Sequence, residues 1–194
     1  MNVKEILFDK RGATFIPMRA LMSIILAVII VTLAFIGLQH AMKIQAEKQV
    51  RRECDKLLSS MSTLVSGGYA RDIDNPLDIQ MHTRTLELKL PDDLVYIGFG
   101  IDPDEDNDGI LRSGLTANGS CIFYKIEGLS KKVVWLDEDF KFREGNFDGN
   151  RWLIKTPQQG YIIDGGGDYT LTFELVKKAG VTYILIHSED IYNP

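Results

Sequence analysis

From Ala20 to Leu38 the chain runs ALMSIILAVIIVTLAFIGL, 19 residues without a charge. As a helix rising ~1.5 Å per residue this stretch spans roughly 28 Å, close to the ~30 Å hydrocarbon core of a bilayer. A helix apolar on every face must lie in lipid or be buried against other such helices, so membrane insertion is the first expectation. Beyond it, apolar residues recur at Ile44, Val50, Cys54, Leu57, Leu58, Met61, Leu64 and Val65, with Lys48, Arg51, Arg52 and Asp55 between them. That spacing is helical. One unbroken helix is expected to reach Ser66, apolar all round in its first half and amphipathic in its second, with Gly67-Gly68 as its stop.

After residue 80 the period drops from 3.6 to 2. Thr85 to Leu90 alternates cleanly, and further strand-like runs are 94–101, 121–126, 132–136, 152–155, 161–163, 169–176 and 181–187. About eight strands divided by Gly, Asn, Asp and Pro turns predict an antiparallel sandwich. Lys177-Lys178-Ala179-Gly180 between the last two runs predicts a hairpin. The fold class expected is therefore α+β: a long N-terminal helix whose C-terminal half packs its apolar stripe on an antiparallel β-sandwich head, with the first half projecting as a stalk.

Charge refines this division. Through Arg52 the chain carries 8 Lys and Arg against 3 Asp and Glu, which leaves 14 against 24 for the rest. The basic part flanks the apolar run and the β region is acidic, which argues against nucleic acid as a partner. Lys4, Lys10, Arg11 and Arg19 before the apolar run are matched by Lys43, Lys48, Arg51 and Arg52 after it, so the positive-inside count is a tie. The head is placed outside because the first cluster lies nearer the apolar run. Export would permit a disulfide between Cys54 and Cys121, the two cysteines of the chain, and two unrelated buried thiols are the alternative.

The segment before the apolar run, Lys10-Arg11-Gly12-Ala13-Thr14-Phe15, resembles the class III leader of archaeal type IV pilins and archaellins. The resemblance implies a prepilin-peptidase-like protease that recognises Lys10 and Arg11 and cuts between Gly12 and Ala13. It also implies copies of the chain, or related subunits, associating through the helix. It divides the chain into a leader (1–12), a helix (13–66) and an extracytoplasmic β domain (67–194). The expected localisation is the cell membrane, single-pass, or an extracellular filament. Pro17 and Arg19 depart from the usual start of such a mature segment. A single-pass anchored β-sandwich binding module that never polymerises is the alternative.

One stretch of the β region suggests a cation. Counted from Asp104, Asp104-Glu105-Asp106-Asn107-Asp108-Gly109 gives Asp-x-Asp-x-Asp-Gly, the first half of an EF-hand-like loop, with the Ile110 carbonyl as a further oxygen and Asp102 as a candidate extra ligand. Position twelve is Leu115 where an EF-hand has Glu, so an isolated structural calcium loop is expected. Asn118-Gly119-Ser120 is an N-glycosylation sequon. His187 beside Ser188, and His82 and His40, fall in no nucleophile or metal motif, so no enzymatic activity is expected.

Overall fold

The computed structural model describes residues 10–78, 82–112, 119–136, 140–156 and 158–188, with side chains from Pro17 onward. Its elements in chain order are α1 (Lys10–Gly67), β1 (Arg71–Asp72), β2 (Thr83–Leu90), β3 (Leu94–Phe99), β4 (Cys121–Ile126), β5 (Lys132–Trp135), β6 (Phe140–Phe147), β7 (Trp152–Ile154), β8 (Tyr161–Asp164), β9 (Gly167–Lys178) and β10 (Val181–Ser188). The chain divides into two compact units, residues 1–42 and 43–194.

The first unit is helical from Lys10. Its described apolar side chains, from Met18 through Ile25, Leu33 and Phe35 to Leu38, are exposed on every face of the helix. By length and composition this helix can cross a membrane, and none of its apolar window is buried. The two described hydroxyls on it are satisfied locally: Ser23 donates to the Arg19 carbonyl at 3.0 Å and Thr32 to the Val28 carbonyl at 2.8 Å. In hydrocarbon, where an unpaired polar group is costly, this back-bonding removes the penalty.

The second unit is an α+β body. Ala46, Val50, Cys54, Leu57, Met61 and Leu64 recur at intervals of three and four along α1 and are all buried, the a/d stripe of an amphipathic helix. That stripe joins one core with Ile97 and Phe99 of β3, Ile122, Tyr124 and Ile126 of β4, Phe140 and Phe142 of β6, and Leu171, Phe173 and Leu175 of β9. Phe99 sits edge-on to both Phe142 and Phe173, at ring separations of 5.8 and 6.5 Å. The second half of the helix thus packs within the same compact unit as the β strands, residues 43–194, as the fold class expects.

Two sheets face this core. One has four antiparallel strands in the order β5-β4-β3-β8. The other runs β1-β9-β10-β6-β7, with β2 also paired to β9. The β9–β10 hairpin forms as expected, closing on Lys178 and Val181 with Ala179 and Gly180 both at positive φ, the turn that matches strand twist. In this second sheet β6 pairs parallel to β10 and β1 parallel to β9, where antiparallel pairing alone was expected. Parallel pairing arises between segments distant in sequence, and neither β1 nor β6 is signalled by a clean alternation. In β6 only Phe140 and Phe142 follow the period before Arg143, Glu144, Gly145 and Asn146 interrupt it.

Candidate functional site

The Asp-rich segment begins by folding back across the outer face of the four-stranded sheet, with Pro103 and Asp104 buried, and leaves Glu105 to Ile110 exposed. The face is open to it because β3 carries Gly98 there. A Cβ at Gly98 would meet Pro103 Cγ at 2.5 Å, so the close approach requires glycine. At the far end of the loop, Gly109 takes φ +80°, again a glycine conformation, with Asn107 at +55°.

Asp104 is fully buried. One carboxylate oxygen accepts from the Gly109 amide at 3.1 Å, the other from Lys125 Nζ at 3.1 Å. Lys131 Nζ bonds the Asp102 carboxylate at 2.5 Å and the Asp104 carbonyl at 2.7 Å. Asp108 holds Arg112 through contacts of 3.2 and 2.6 Å and accepts the Ile110 amide at 2.9 Å, while exposed Asp106 lies 3.7 Å from Arg112. Burial pushes the Asp104 carboxyl up, but the Lys125 ammonium and the Gly109 amide outweigh it and hold it below the usual carboxylate range. Asp108 is held low first by its bond to Arg112.

The loop is therefore a clamp in which three basic side chains neutralise the clustered carboxylates. Among the described residues no group of three or more His, Cys, Asp or Glu is arranged to hold a metal ion. Of the expected calcium ligands, Asp106, Asp108 and the Ile110 carbonyl lie within 3.7 Å of the Arg112 guanidinium, and Asp104 and Asp102 bond Lys125 and Lys131. A cation would have to take Asp106 and Asp108 from Arg112 and share Asp104 with Lys125. Nothing in the sequence ties Lys125 and Lys131 to this loop; the link comes from strand alternation, which turns Lys125 to the outer face while Tyr124 and Ile126 face the core.

The same alternation settles the cysteines. Cys54 lies on the helix stripe in the main core, whereas Cys121 starts β4 on the face opposite Ile122 and Tyr124. Both are buried free thiols. Burial pushes the Cys54 thiol up to about 12 and that of Cys121 to about 11.

On the outer face of the mixed sheet a second polar cluster lies unannounced in the sequence. Arg71 Nε meets Glu174 at 2.6 Å with side chains 2% and 1% exposed, and Arg71 Nη2 donates to the Trp152 carbonyl at 2.6 Å. The Trp152 ring stacks on His187 at 3.7 Å and 7°. This strand-end histidine is a packing element, and burial lowers it to about 4. A small second core of Ile73, Val176 and Leu185 lies beside the cluster. The ion pair and the stack fasten β1 and β7 to the sheet.

Of the remaining expected sites, Lys10, Arg11, Gly12 and Ala13 form the first turn of α1, with their side chains outside the described residues. Asn118 and Leu115 also lie outside them. No protein-family profile, curated protein or solved structure matches this chain.

Proposed function

We propose that this chain is a membrane-inserted, pilin-like structural or adhesive subunit, its β body extracytoplasmic, matured by a prepilin-peptidase-like cut between Gly12 and Ala13. The observation that carries the reading is the division of one helix by function. Residues 46–64 spend their apolar stripe on the body's own core, while residues 18–38 leave apolar surface uncovered on all sides. A helix of the second kind has two solvents, lipid and other helices. Processing before it would let it exchange the first for the second, and Ala27, Ala34 and Gly37 allow close helix approach. Arg19, immediately before the apolar run, would lie at the membrane interface, where a long basic side chain reaches water.

The test is assembly. Native extraction of membranes should recover the wild-type chain in filaments or large complexes, and Ala34→Leu should reduce them while preserving insertion, because the larger side chain separates the helix backbones. Recovery of the wild type solely as dispersed monomers would replace this reading with the anchored, non-polymerising module.

A further inference from the structure

We infer that Lys131 and Asp102 condense to an intramolecular amide, a covalent staple that fixes the fold-back segment to the turn before β5. The pair lies in a polar cluster on the outer face of the four-stranded sheet. Lys131 Nζ is 2.5 Å from Asp102 Oδ2, with side chains 18% and 10% exposed. The carboxyl carbon is one bond beyond that oxygen, which puts it near the ~3–3.5 Å separation of atoms poised to react. Two further contacts hold the lysine there: Nζ donates to the Asp104 carbonyl at 2.7 Å and stands 5.9 Å from the centre of the Phe123 ring.

The groups around the pair suit the chemistry. Asp102 Oδ1 accepts the Asp104 amide at 3.2 Å, so the oxygen that gathers charge when nitrogen attacks already has a backbone donor. Tyr96 is fully buried, and its hydroxyl has no hydrogen-bond partner among the described residues. Burial, with the charges of Asp102 and Asp104 nearby, pushes that hydroxyl up. It therefore stays protonated, a spare donor beside the carboxylates for the departing oxygen. The neighbouring pair of Lys125 and Asp104 is looser, at 3.1 Å with the lysine side chain 26% exposed, and it serves to neutralise Asp104.

The reaction needs no other reactant. Nζ bonds to Cγ of Asp102 and the Cγ–Oδ2 bond breaks. Two of the three ammonium protons leave with Oδ2 as water, and the third stays on the amide nitrogen. Positioning supplies the rate, because groups held in contact react as if at concentrations far above any reached in solution. Burial supplies the drive, since the amide carries neither of the two charges that are costly to withdraw from water. The new bond joins residues 29 positions apart and ties the end of β3 to the start of β5. It is independent of whether the chain polymerises.

The test is a peptide map of the full chain purified from membranes. After denaturation and trypsin digestion, the peptides holding Asp102 and Lys131 should be recovered as one branched species, lighter by one water than the two together, with no cleavage after Lys131. Lys131→Arg keeps the ion pair but offers a poor nucleophile, so the chain should still fold and should give the two peptides separately at full mass. Two results would overturn the assignment: separate full-mass peptides from folded wild-type protein, or a water lost between Lys125 and Asp104 instead. The map reads the bond whatever the N-terminus or the size of the native complex, so it can fail apart from the filament reading.

Discussion

Replacing Arg71 by Met removes the partner of a carboxylate that is almost wholly withdrawn from water. Arg71 and Glu174 meet at 2.6 Å with side chains 2% and 1% exposed, so the variant leaves Glu174 buried and unpaired and also frees the Trp152 carbonyl. Breaking a buried pair from one side costs about 3–5 kcal/mol, a large share of the ~5–15 kcal/mol that holds a domain together. The double variant Arg71→Met/Glu174→Leu, which removes both charges, should recover most of the loss because no buried charge is left. The single variant's cost should also depend on pH. Burial pushes the Glu174 carboxyl above its usual range and Arg71 pulls it back, so without Arg71 it rises further. A carboxyl raised in the folded state is favoured in its neutral form: its contribution is full below the unfolded value and lost as pH rises through the folded one. The variant should therefore approach the wild type as pH falls from 7 towards 4 and diverge as it rises. Urea denaturation of the full chain in mild detergent, followed by tryptophan fluorescence, measures this. A cost below about 1 kcal/mol at pH 7, or one constant with pH, would refute the reasoning.

Three further outcomes follow from the same geometry. Because His187 is held neutral by burial at about 4, the wild type should lose up to about 3 kcal/mol as pH falls from the ordinary histidine range through that value, and His187→Phe, which keeps the stack on Trp152, should flatten the slope; parallel wild-type and variant profiles would contradict it. A calcium ion at the Asp-rich loop would have to displace Arg112, so if calcium binds there Arg112→Gln should show a larger rise in melting temperature with millimolar calcium than the wild type does, and no response in either protein would remove calcium from the account. With both thiols buried and raised, native protein at pH 8 should leave Cys54 and Cys121 unreactive to a thiol reagent and unpaired by mass; a disulfide in mature protein would show that the faces of β4 are wrongly assigned.

What could be read from the sequence divides along a physical line. The helix, its stripe from Ala46 to Leu64 and strands such as β4 and β9 are written in local periodicity, which one segment carries alone. The β9–β10 hairpin was legible for the same reason, since its turn chemistry lies between its own strands. β6 was not, because its second half owes its strand state to parallel pairing with β10, some forty positions away. The Asp-x-Asp-x-Asp-Gly spacing was visible, yet its charge balance depends on Lys125 and Lys131, placed by tertiary contacts. Arg71 and Glu174, 103 positions apart, leave no sequence signal of their partnership. Sequence alone also left the cysteines open, and a single strand alternation separates them.

The N-terminal residue of the protein recovered from cells tests the central claim most directly. Mass spectrometry of the intact chain from native membranes or surface filaments should find it beginning at Ala13, with residues 20–38 still attached, and substitution of Lys10 and Arg11 should prevent the cut. A mature protein that retains Met1 to Lys10, or one that begins after Ala41 and has lost the apolar helix, would contradict the account.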